Sequence, residues 1–136
     1  MFKKPILWEM FLMVVLVWVL NYVAGVYNLY WGINEFDSLV HFLAGTAVSL
    51  FFIWFYFFSS FFRPTKRNLK EFIFVTIFSI IFVAVLWEIY ELFLGEAKFA
   101  KAEYPYDTTL DFVMDFLGAL AGCLYAYIKE INRIIE

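Results

Sequence analysis

The chain holds a single cysteine, Cys123, so no internal disulfide can form. Within the apolar run AGCLYAY this residue reads as a small buried hydrophobe. A basic excess is missing too. The net charge is -3, which leaves no electrostatic footprint for nucleic acid. Proline occurs three times and glycine six times, with no linker rich in either, no internal repeat and no low-complexity tract. Residues 1–136 therefore read as one domain. Histidine occurs once, as His41. Charge is absent from two long stretches, Met10 to Asn34 and Phe42 to Phe62.

What is present is apolar surface: 65% of the residues are hydrophobic, 24% are aromatic and nineteen are Phe. A soluble domain of 136 residues has too little interior to hide it, so the composition indicates an integral membrane protein. A spanning helix needs ~20 mostly apolar residues. Four segments qualify, at about 6–30, 37–62, 70–95 and 107–130. The fold class is thus all-α: a polytopic four-transmembrane-helix bundle. The first apolar run is longer than the ~7–15 residues of a signal-peptide core and reads as a retained helix.

The Lys and Arg residues set direction. Lys3, Lys4, Arg63, Lys66, Arg67, Lys70, Lys129 and Arg133 fall on one side, and only Lys98 and Lys101 on the other. The positive-inside rule places both termini and the 63–70 loop in the cytoplasm of a multi-pass plasma-membrane protein. Tyr27, Tyr30, Trp31, Tyr104 and Tyr106 suit an aromatic belt at the opposite interface, and Trp8 and Trp18 suit lipid. The cytoplasmic-side acids Glu9, Glu71, Glu130 and Glu136 are expected to be solvated.

The remaining acids do not fit a simple span. The fourth segment is free of charge only from Phe116 to Ile128, thirteen residues that cover ~20 Å of a ~30 Å hydrocarbon core. Part of the column Asp107, Asp111, Asp115 must therefore lie at membrane depth, as must part of the pair Glu88, Glu91. Asp37 and His41 stand four residues apart at the start of the second span, and Asn21, Gly25 and Asn28 mark the outer half of the first. Spacings of three and four share a helix face. Each stripe runs on into small residues: Gly118 and Gly122, Gly45, Ala84. Small residues mark helix contact in membranes, so the stripes are expected to face one another around a polar pocket in the outer half of the bilayer.

Acids and an imidazole in a partly dry pocket cannot all stay charged and unpaired. Three resolutions are open: protonation of some carboxylates, Lys98 or Lys101 folding in as a counter-ion, or a divalent cation. Oxygen-rich ligation with one imidazole suits Mg²⁺, Mn²⁺ or Ca²⁺ better than Zn²⁺. Glu88, Glu91, Asp111, Asp115 and His41 are the candidate ligands, His41 and Asp37 the candidate acid–base pair, and Asn21, Asn28 and Asp107 further pocket residues. Each has a plainer role to weigh. Asp107 follows Pro-Tyr at a helix start and suits an N-cap, and Asp111 lies where the helix dipole favours an anion. Glu91 suits the interface, and the asparagines suit inter-helix hydrogen bonding. Asp115 is too deep for such a role.

The segments FDSLVHFLAG, LWEIYEL and DTTLDFVMDFLGALAG together resemble the motif set of the YjdF-like and VanZ-like membrane proteins. The pattern is Asp-x3-His-Phe-x2-Gly, then Glu-x2-Glu, then Asp-x3-Asp-x3-Asp-x2-Gly-Ala. It falls here on Asp37, His41, Phe42 and Gly45, on Glu88 and Glu91, and on Asp107, Asp111, Asp115, Gly118 and Ala119. The resemblance covers spans two to four and corresponds to the core of longer YjdF-like proteins. It implies a membrane protein with a polar site. The VanZ-like branch is associated with glycopeptide resistance and the cell envelope, and no named reaction comes with it. Three functions compete: a metal-dependent hydrolase or transferase acting on a lipid or lipid-linked phosphate, a proton- or cation-coupled carrier, and a structural or assembly subunit. Membrane lipids are the expected partners, and a homodimer is one way for four short spans to enclose a site.

Overall fold

The computed structural model describes residues 6–33, 35–62, 64–94 and 104–135. The side chains of residues 31, 32, 88, 91, 92, 94 and 104–108 fall outside the description. The described residues are helical or in short connections, with no strand among them. Helix α1 covers Leu7–Tyr27, a single turn α2 covers Leu29–Gly32, and α3 covers Phe36–Ile53 and runs into a π-helical turn at Trp54–Phe58. Helices α4 and α5 cover Leu69–Leu94 and Tyr104–Ile135. Four segments are long and apolar enough to cross a membrane: Leu7–Tyr27, Phe36–Phe58, Leu69–Trp87 and Thr109–Ile135. In hydrocarbon a helix is the one open-ended element that satisfies its own backbone, so the apolar runs have little alternative.

The boundaries carry local causes. Asn28 adopts the left-handed conformation (φ 53°, ψ 38°) and its N–H returns to the Ala24 carbonyl, which ends α1. Asn tolerates this region better than most residues. The expected span 6–30 is therefore broken at Asn28. Asn68 caps α4: its Oδ1 accepts the Glu71 N–H at 3.0 Å. Helix α5 begins at Tyr104, so Pro105 sits in its first turn, where the missing N–H costs nothing. Asp107 is consequently inside the helix and not its N-cap.

Helix α3 is the hub. It packs on α1, α4 and α5, and its contact with α5 is the most extensive in the molecule. Three glycines set that contact. A Cβ on Gly45 would lie 2.0 Å from the Asp115 carbonyl oxygen, one on Gly118 1.9 Å from that of Phe42, and one on Gly122 2.9 Å from that of Thr46. The backbones of α3 and α5 therefore touch, as small-xxx-small pairs allow in lipid. Thr46 Oγ1 shares its proton between the Phe42 carbonyl of its own helix and the Gly118 carbonyl across the seam, at 3.0 and 2.9 Å. Deeper in, Thr76 of α4 meets Ser49 of α3 at 3.4 Å and also hydrogen-bonds Cys123 of α5. Cys123 is buried, as its apolar run suggested.

The start of α1 and the end of α5 lie at one end of the bundle. Glu9 of α1 pairs with Lys129 of α5 and accepts from the Tyr125 hydroxyl. Phe57, Phe72 and Tyr127 form an aromatic cluster there, with Phe57 and Phe72 stacked at 4.3 Å. Glu130 corrects the sequence reading. It is 1% exposed, not solvated, and receives Arg67 at 3.0 Å and Arg133 at 2.8 Å. Arg67 also donates to the Phe57 carbonyl at 2.9 Å, one of the orphans at the end of α3. This ties the loop after α3 to the last turns of α5.

Gly118→Ala places a methyl against backbone that cannot rotate away, so it should destabilise by about 1–3 kcal/mol. Gly25→Ala meets nothing within 4 Å. It should be neutral or gain roughly 0.5–1 kcal/mol from helix propensity. Unfolding midpoints of both variants in one detergent check the pair. Glu130→Ala strips two half-exposed guanidinium groups of their buried partner and should cost roughly 1.5–3 kcal/mol by the same assay.

Candidate functional site

The glycine seam decides which polar groups meet. Gly45 lies against Asp115, and Gly118 lies against Phe42, the residue after His41. The turn of α3 that carries His41 is thereby held beside the first turns of α5. His41 Nδ1 stands 3.3 Å from Asp115 Oδ2. Its Nε2 stands 3.6 Å from Asp111 Oδ1 and 3.7 Å from Asp37 Oδ1. Asp37 reaches it as the i,i+4 neighbour on α3. One imidazole thus sits among three aspartates from two helices.

The cluster is recessed and open at one end. Side-chain exposure is 19% for Asp115, 23% for His41 and Asp111, and 47% for Asp37. It deepens from Asp37 toward Asp115 and lies at the end of the bundle away from Glu9, Arg67 and Glu130.

Hydrogen-bond inventory sorts the roles. A singly protonated imidazole donates from one nitrogen and offers a lone pair at the other. With Nδ1–H on Asp115, the Nε2 lone pair faces Asp37 and Asp111. One ligand atom each from Asp37, His41 and Asp111 lies within 4.8 Å of the other two, a grouping compact enough for one cation. Asp115 lies outside that grouping, against the other ring nitrogen. The sequence reading offered Asp115 as a ligand and paired Asp37 with His41; the structure brings both, with Asp111, against the ring.

The other candidates fall elsewhere. Asn21 is exposed and accepts a hydrogen bond from the Tyr30 hydroxyl. Asn28 is exposed and serves as the break between α1 and α2. Gly25 faces open space, so the first span does not turn a close-packed stripe to the pocket. Glu88 and Glu91 lie on α4 and Asp107 on the first turn of α5, and their side chains are outside the described residues.

Tyr30 was expected only as a belt residue. Its ring packs edge-on against Phe36 at 5.5 Å. Burial and then the negative charge of Asp37 push its phenol above the ordinary tyrosine value. The residue thus links Asn21 to the mouth of the cluster. No spacing rule pairs residues nine apart across a helix break, so the link was not visible in the sequence.

Apolar helices long enough to cross a bilayer, with an acid–imidazole cluster recessed at one end of the bundle, define a multi-pass helical membrane protein. The chain belongs to the family described as Predicted membrane protein (DUF2238), whose model matches residues 2–131. No curated protein and no solved structure matches it.

The folded chain holds the Tyr30 proton more tightly than the unfolded chain does. The stability this contributes is intact below ~pH 10 and is lost as pH rises through the raised value. A spectrophotometric titration of wild type minus Tyr30→Phe should show a phenol ionising above the ordinary range. Asp37→Asn should bring it part of the way back, because burial is the larger cause.

Proposed function

We propose that Asp37, His41 and Asp111 hold a divalent cation, that Asp115 orients His41 for it, and that the site acts on a lipid or lipid-linked phosphate. The observation that carries this reading is the convergence of three ligand atoms from two helices within 4.8 Å, with the second ring nitrogen already engaged by Asp115. Two carboxylates with one imidazole would form an oxygen-rich donor set, so Mg²⁺, Mn²⁺ or Ca²⁺ is favoured over Zn²⁺. Such an ion supplies Lewis acidity toward a phosphate oxygen or activates water. Asp37, the most exposed member, is placed to meet substrate. The residues left outside the description, Glu88, Glu91 and Asp107, are assigned to the same pocket on their helix positions.

The positive-inside distribution supports an extracytoplasmic site, and the resemblance to YjdF-like and VanZ-like proteins supports a role in the cell envelope. The carrier reading has less support. A carrier needs a polar path onward, but the hydroxyls of Thr46, Ser79, Ser49 and Thr76 are engaged in bonds within and between helices. The assembly reading treats the cluster as a satisfied core, which its open, exposed mouth at Asp37 does not favour.

Purified protein should retain a divalent metal by elemental analysis, and chelator should lower its melting temperature. Metal at 100 times its Kd should restore ~2.7 kcal/mol of stability. Asp111→Asn should abolish retention, and Asp115→Asn should weaken affinity by about 10–100-fold. Glu130→Gln should leave metal content unchanged. A metal-free preparation whose melting temperature ignores chelator would sink the proposal.

A further inference from the structure

Helix α5 has two working faces. Asp111 and Asp115 turn to α3, and the residues that follow them, Phe112 and Phe116, line a groove of about 430 Å³ between α5 and α4. The α4 wall runs from Ile80 to Ile89, with Ala84 in the middle. All lining side chains are apolar. The volume lies within the ~300–1,000 Å³ usual for ligand sites. Such sites normally add a few polar groups to an apolar wall. Here the polar groups are one residue away, on the neighbouring face of the same helix.

Length and direction narrow the occupant. Ile80 to Ile89 covers nine residues of rise, or ~13 Å. One leaflet of a ~30 Å hydrocarbon core is ~15 Å deep. The groove starts at the level of Phe112, beside Asp111, and descends toward the middle of the bilayer. A lipid in the leaflet on the site's side has the same polarity, headgroup at the interface and chain toward the midplane. The groove lies between two spans and its lining residues Ile81, Val85 and Phe112 are exposed, so a chain can enter from the surrounding lipid.

We propose that the α4–α5 groove seats one acyl chain of a membrane lipid from that leaflet and thereby presents the lipid headgroup to Asp37, His41 and Asp111. This substrate subsite rests on the metal-site reading above for its chemistry, but its occupancy by lipid does not. Ala84 is the small residue that leaves room for the chain, and Phe112 and Phe116 are its aromatic wall.

The test uses the full chain in nanodiscs containing a phospholipid with a photoactivatable acyl chain, with cross-linked residues mapped by mass spectrometry. Cross-links are expected to concentrate at 84–89 and 112–116 over the more exposed Phe74 on α4. Ala84→Trp should remove them, as should Val85→Trp, whose exposed position makes misfolding a poor explanation. Phe74→Trp should not. Metal content measured on the same samples should be unchanged by Ala84→Trp. Uniform labelling of all lipid-facing positions, or cross-links between two copies of the chain at the groove, would overturn the proposal. Groove cross-links in a protein that holds no metal would keep the subsite and remove the metal reading, so the two failures are distinguishable.

Discussion

The contact on which the rest of this molecule depends is backbone against backbone, α3 on α5, at Gly45, Gly118 and Gly122. In lipid there is no hydrophobic drive to bring two apolar helices together, because a lipid tail solvates leucine as well as another helix does. Close approach, dispersion and a few hydrogen bonds must do it. The glycines supply the approach, and Thr46 supplies a bond across the seam. The register that results leaves no freedom in where Asp111 and Asp115 stand relative to His41. Polar groups that would be costly in hydrocarbon are thereby given partners from a second helix.

The two ends of the bundle solve the same problem differently. At the end where α1 starts and α5 finishes, charge is neutralised within the protein: Glu130 pairs with two arginines, and Glu9 with Lys129. Aromatic packing of Phe57, Phe72 and Tyr127 closes that end. At the other end, among the described residues, a single imidazole sits among three aspartates, beside the apolar groove between α4 and α5. One end reads as a latch and the other as a site.

Much of this was legible beforehand. Long charge-free runs predicted four helices, and the placement of Lys and Arg predicted that the termini and the 63–70 loop share a side. The small residues below His41 and the aspartates, Gly45, Gly118 and Gly122, predicted the packed face between α3 and α5, whereas Ala84 lines a groove and Gly25 meets nothing. Errors arose where a residue's partner is far away in the chain. Glu130 looked solvated because its helix end is rich in charge. Its burial depends on Arg67, which lies 63 residues away in sequence. Asn21 and Asn28 shared helical spacing with a polar stripe, but the chain turns at Asn28 and the stripe ends there.

Hydropathy, charge bias and helical spacing are properties of one segment at a time, so the primary structure was enough to establish a membrane bundle and the residues that could form a pocket. Which aspartates stand against His41, and at which ring nitrogen, is a matter of ångströms between separate helices. That was settled by how closely Gly45 and Gly118 let two backbones approach, because the depth of that contact sets the rotation and height of every side chain on either side of it.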